Sequence, residues 1–147
     1  MGYALMVRAL AALLVAGTSG AAQVPVETLL VEETPVHPAA YGFVYYSTLT
    51  PVDVALRDGS RAELWMFDGA AGECVAIVGS SDAFAVQLLL REATPFGRLI
   101  AHDDSRTESG DARLRLELPH PGRYFVTVTS VGAGEALGAY TLDLDRC

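Results

Sequence analysis

Hydrophobic and polar residues alternate with a period of two through most of the chain after residue 42, and turn residues interrupt the alternation every eight to twelve positions. Leu114-Arg115-Leu116-Glu117-Leu118 and Tyr124-Phe125-Val126-Thr127-Val128-Thr129 show it most clearly. Successive side chains of a strand point to opposite faces, so such runs match antiparallel strands with one face in a core and one in water. The pattern predicts eight strands, at 43–49, 62–67, 73–78, 86–91, 98–102, 112–118, 123–130 and 139–145. Turns fall between them at Asp58-Gly59-Ser60, Asp68-Gly69, Thr94-Pro95-Phe96-Gly97, His120-Pro121-Gly122 and Gly132-Ala133-Gly134. No amphipathic helix interrupts the series. Many short strands at this spacing read as an all-β sandwich or barrel.

The N-terminus is patterned differently. Residues 9–16 (ALAALLVA) are continuously apolar, follow Arg8, and lead into the small residues 17–22. A charged start, a short apolar stretch and small residues at a cleavage point describe an export signal, here residues 1–22. Cleavage after Ala21 or Ala22 fits, with Gln23 the favoured mature N-terminus, and Met6 is a more typical start than Met1. The apolar run is far short of the roughly 20 residues that span a bilayer, so membrane insertion is not expected. Residues 23–42 carry Pro25, Pro35 and Pro38 and read as an extended leader or edge segment, followed by the sandwich over 43–147.

Two cysteines, Cys74 and Cys147, suit an oxidising compartment, either the periplasm or the exterior. Strand parity gives them a geometry. Val75 and Ile77 face the core, so Cys74 faces out, and Leu142 and Leu144 face in, so Cys147 continues the outward phase. Two outward cysteines on neighbouring strands can form a disulfide. With no third Cys and no CxxC, a redox motif and a zinc knuckle are both excluded.

Composition narrows the class further. The chain has 147 residues, half of them apolar at 51%, enough for one globular core without metal or many crosslinks. Its formal charge is −8 and every basic residue is Arg. An acidic surface with no Arg cluster repels phosphate backbones and anionic membranes, so nucleic acid is not an expected partner.

The loop from His102 to Asp111 holds Asp103, Asp104 and Asp111 close together, a possible hard-cation set for calcium, although Arg106 opposes it and the spacing is not that of an EF-hand. The same carboxylates also suit an ordinary solvated turn. His37, His102 and His120 allow a Ser-His-Asp triad only on paper, and no Gly-x-Ser-x-Gly elbow is present, so no catalytic residues are assigned. Parity with Phe67 puts Trp65 in the core, and Tyr46 and Phe125 are left as the candidate binding surface.

Taken together, Leu64-Trp65-Met66-Phe67, Gly72-Glu73-Cys74-Val75, Ser80-Ser81-Asp82-Ala83-Phe84, Leu99-Ile100-Ala101-His102-Asp103-Asp104, Gly122-Arg123-Tyr124-Phe125-Val126 and Gly138-Ala139-Tyr140-Thr141-Leu142 resemble, in order and spacing, the bacterial pre-peptidase C-terminal (PPC) domain family. The resemblance covers roughly residues 47–144. It implies a jelly-roll-like β-sandwich on a secreted protein, non-catalytic, involved in secretion, in precursor solubility, or in binding protein or polysaccharide, with calcium in some relatives. No peptidase accompanies the domain here, and Ala85 stands where the family often has an acidic residue. The expected function is therefore an exported module that binds an extracytoplasmic protein or polysaccharide. A structural or maturation accessory of a secreted protein, calcium-stabilised or not, is the alternative, and a hydrolase is third.

Overall fold

Period-two alternation becomes a strand at each of the eight predicted places. The computed structural model describes residues 34–106 and 110–147, so the proposed export segment and residues 107–109 lie outside the described residues. The strands are β1 (Val36–Pro38), β2 (Phe43–Leu49), β3 (Val54–Ala55), β4 (Arg61–Gly69), β5 (Cys74–Ser80), β6 (Val86–Glu92), β7 (Arg98–Asp104), β8 (Ala112–Glu117), β9 (Gly122–Ser130) and β10 (Gly138–Arg146). Among the described residues there is no helix.

One sheet runs β1-β4-β9-β6-β7 with β3 added to β4, and the other runs β2-β10-β5-β8. Setting β1 and β3 aside, the order β4-β9-β6-β7 opposite β2-β10-β5-β8 is that of a jelly roll, with early and late strands interleaved in both sheets. Every pairing is antiparallel except β1 on β4. The segment ahead of residue 43 thus supplies an edge strand, and the compact unit begins at Pro35, ahead of the Phe43 boundary drawn from the sequence. Pro38 is compatible with that position, because an edge strand leaves one row of backbone groups without ladder partners.

The core lies between the two inner faces. Trp65, Phe67, Val126 and Leu88 from one sheet meet Ile77 and Leu142 from the other. Parity is strict in β5, where exposure alternates at every residue. In β9 it fails, because all residues from Tyr124 to Ser130 are buried. Phe125 lies on the outer face of this central strand, flanked in register by Met66 of β4 and Arg91 of β6, and is 6% exposed. This corrects the expectation that Phe125 is a surface residue. Alternation assigns a side chain to a face, but how far its neighbours cover it depends on strand position within the sheet.

Cys74 and Cys147 are joined by a disulfide. Cys74 opens β5 and Cys147 directly follows β10; these strands pair directly, and the Cys147 N–H also donates to the Cys74 carbonyl. Beside the bridge, Glu73 gathers three donors. Its Oε1 accepts from the Tyr41 hydroxyl at 2.8 Å and from the Ala70 N–H at 3.1 Å, and its Oε2 accepts from Arg146 Nε at 2.8 Å. The Arg146 guanidinium lies 4.2 Å above the Tyr41 ring centre.

The Arg146 bond first, then those from Tyr41 and Ala70, hold the Glu73 carboxyl down at about 2. Burial, reinforced by the bond to Glu73, raises the Tyr41 phenol. A carboxyl depressed in the folded state stabilises the fold fully above its unfolded value of about 4.3, and loses that contribution as pH falls through the folded value. The melting temperatures of the protein and of Glu73→Gln are therefore expected to differ by a constant amount near neutrality and to converge between about pH 4.5 and pH 2. A gap that persists undiminished at the acid end would exclude this linkage.

Candidate functional site

The outer face of the four-stranded sheet carries the most accessible aromatic group of the described residues. β2 is one of the sheet's two edge strands, and its side chains Val44, Tyr46 and Thr48 point outward, opposite the inward Tyr45 and Leu49. Antiparallel pairing places Tyr46 beside Thr141 of β10, and Thr141 beside Ser80 of β5, in one row across the sheet. Tyr46 is 80% exposed, and Phe43 and Val44 are exposed along the same edge.

The loop after β5 rises beside this row and forms a wall. Ser81 Oγ donates to the Ala139 carbonyl at 2.6 Å and accepts from the Ala83 N–H at 2.9 Å, which locks the loop to the start of β10. Gly138 permits the contact. It has a φ of +139°, and a Cβ there would sit 2.3 Å from the Ala83 Cβ. Between the wall and Tyr46 lies an open cleft of about 570 Å³. Thr48, Ser80, Ser81, Asp82 and Thr141 line it together with Tyr46, and no Arg or His does.

Inside the sandwich, near the same strands, lies a buried polar cluster. Glu63 is on the inner face of β4, in line with Trp65 and Phe67, and is 9% exposed. Its Oε1 accepts from the Tyr140 hydroxyl at 2.5 Å and from Ser47 Oγ at 2.7 Å. Trp65 Nε1 donates to the same Tyr140 hydroxyl at 2.9 Å, and His37 Nε2 lies 3.4 Å from Glu63 Oε2. Burial first, and then the bond to Glu63, raises the Tyr140 phenol. The order of groups is Ser47–Glu63–His37, with the hydroxyl bonded directly to the carboxylate. No imidazole stands next to the hydroxyl to take its proton, so this is not the arrangement of a serine hydrolase. The other two histidines are elsewhere: His102 is exposed on β7, and His120 Nδ1 lies 3.1 Å from Glu92 Oε1 across a separate concavity near Arg98 and Arg123.

Each carboxylate of the calcium set expected from the sequence has a protein partner among the described residues. Asp103 accepts from the backbone N–H of Arg113, and Asp104 accepts from the backbone and guanidinium of Arg106. Asp111 accepts from Ser80 Oγ and from the Arg113 guanidinium. Its bonds to Arg106 hold the Asp104 carboxyl below the usual range. Among the described residues no three His, Cys, Asp or Glu side chains are grouped as a metal site. Each carboxylate is instead oriented by a local turn or a neighbouring Arg.

Of the two surface aromatics expected from the sequence, Tyr46 lies at the rim of the cleft and Phe125 is buried in the other sheet. Sequence reasoning passed over Glu63, although its parity with Trp65 and Phe67 already placed it on the core side.

No family model matches the chain, and no curated protein matches it. Solved structures do. The pre-peptidase C-terminal domain of a collagenase from Bacillus anthracis aligns with a TM-score of 0.56 at 13% identity, over 76% of this chain and 95% of that one. PliG of Aeromonas hydrophila, a periplasmic inhibitor of g-type lysozyme, aligns with a TM-score of 0.54 at 16% identity, over 76% of this chain and 96% of that one. At these identities the likeness is one of fold, and the fold is the β-sandwich that a pre-peptidase C-terminal domain also adopts.

Proposed function

We propose that this chain is an exported, non-catalytic binding module of the PPC type, and that its binding face is the outer surface of the four-stranded sheet around Tyr46. The observation that carries this reading is Tyr46 itself, an aromatic ring 80% exposed at the rim of a cleft whose wall is held rigid by Ser81 and Gly138. A preorganised concave surface with a protruding aromatic binds with little ordering penalty. Export is supported by the apolar N-terminal stretch and by a disulfide that persists only under oxidising conditions. The non-catalytic character is supported by a Ser47 hydroxyl with no imidazole beside it and a Glu63 carboxylate bonded on the inner side of its sheet.

Hydrogen exchange of the oxidised full chain tests the face directly. It is measured alone, with soluble extracytoplasmic proteins, and with cell-wall polysaccharide. Slowed exchange confined to residues 44–48, 80–83 and 139–141 with either addition is the expected result. Slowing elsewhere, or none with both additions, would remove the assignment.

A protein partner specifically is favoured by Val44, an exposed apolar side chain on the same face and sheet edge as Tyr46. Because a protein of similar fold inhibits g-type lysozyme, that enzyme is the natural probe. Inhibition that is lost in Val44→Ser would establish this second reading.

A further inference from the structure

We infer that the cleft beside Tyr46 takes a neutral polysaccharide chain. The inference rests on the binding face proposed above and names its ligand class. Three features of the cleft select that chemistry. The first is the aromatic ring, which stands free of the protein and offers an apolar face to the C–H face of a sugar ring. The second is the lining, in which Thr48, Thr141 and Ser80 come from the sheet and Asp82 from the loop after β5. Hydroxyl groups donate and accept, as a polyol does, and an ionised carboxylate adds acceptors for sugar hydroxyls. Ser80 Oγ donates to Asp111, so its orientation is set and its lone pairs remain for a ligand donor.

The third feature is charge. No Arg or His lines the cleft, Asp82 is its one ionisable acid, and the chain's formal charge is −8. An anionic polymer would meet repulsion with no counter-charge, whereas an uncharged one meets none. The cleft remains open to solvent, which suits a chain laid across the sheet face better than an enclosed small molecule. Its wall is fixed before binding, because the Ser81 bonds and the Gly138 contact already hold the loop in place.

Affinity electrophoresis of the oxidised full chain is the test, in native gels containing soluble β-glucan, glucomannan, hydroxyethylcellulose or starch, with polygalacturonate as the anionic control. Retardation by at least one neutral polymer and none by polygalacturonate is expected. Tyr46→Ala should weaken that binding about tenfold or more, and Tyr46→Phe should keep it within about threefold, since the ring and not the hydroxyl makes the contact. Phe96→Ala, an exposed aromatic outside the cleft, should leave binding unchanged. Tyr46 is exposed, so an unaltered melting temperature for Tyr46→Ala separates lost binding from lost folding. Absence of retardation by every neutral polymer, equal retardation by polygalacturonate, or indifference to Tyr46→Ala would each overturn the inference. If soluble protein still slows exchange at residues 44–48, the binding face stands and the saccharide alone is rejected. If neither addition slows it, both fall.

Discussion

Loss of the Cys74–Cys147 bond, by reduction or by the double substitution Cys74→Ser and Cys147→Ser, is expected to lower the unfolding free energy by about 4 kcal/mol. The bridge spans a sequence separation of 73 residues, and in the chain-entropy picture a loop that long strongly restricts the unfolded ensemble. The folded state gives the bond further leverage. β10 is the last strand and pairs with both β2 and β5, so it holds an early part of the chain to the middle of its sheet. Without the covalent tie its end is held by backbone pairing and by the contacts of Arg146 with Glu73 and Tyr41. Urea unfolding with and without reductant measures the difference. A loss under about 1 kcal/mol would mean that the non-covalent contacts around Glu73 already fix the C-terminus, so that the bridge adds little.

Tyr140→Phe is expected to cost about 3 kcal/mol, far more than the removal of one exposed hydroxyl. The ring remains, so packing volume is preserved and no cavity opens. What disappears is the hydroxyl that donates to Glu63 and accepts from Trp65 Nε1. Both groups are buried, at 9% and 6% exposure, and removal of their shared partner takes a donor from the carboxylate and the acceptor from the indole N–H. An unmade buried hydrogen bond costs roughly 1–3 kcal/mol, more when a charged group is involved. Coupling through the shared hydroxyl makes the total differ from a simple sum. A double-mutant cycle with Glu63→Gln isolates the pair, and a coupling of at least about 1 kcal/mol is expected. A Tyr140→Phe loss below about 0.5 kcal/mol would show that water enters and replaces the missing hydroxyl.

The architecture was readable wherever alternation ran long enough. The strand at 43–49 coincides with β2, and the run from Val75 to Ile77 that put Cys74 outward is the strictest alternation in the sandwich. β1 and β3 escaped because strands of three and two residues are too short to show a period, and neighbours create them by pairing. Trp65 was placed in the core correctly by its parity with Phe67. The same parity applied to Glu63, but the partners that hold its carboxylate in the interior, Tyr140 and Ser47, are both remote in sequence.

The candidate site was only half visible. Tyr46 was one of two surface candidates left once Trp65 was placed in the core, but its cleft depends on β2 lying beside β10 and β10 beside β5, and on the 80–85 loop packing against Gly138. Asp103, Asp104 and Asp111 were read as one set because they are close in sequence, and only the fold supplied their partners, Arg113 for Asp103 and Asp111 and Arg106 for Asp104.

By itself, the sequence determined the all-β class, the strand positions and the outward phase of both cysteines. Each of these follows from side chains within a few residues of one another, because period-two geometry is a local property of the backbone. Only the tertiary structure decided that Phe125 is covered, that Glu63 is bonded beneath Tyr140, and that hydroxyl groups from three strands surround Tyr46. Those facts follow from register between strands far apart in the chain, where hydrogen bonding and burial across the jelly roll outweigh any preference that neighbouring residues express.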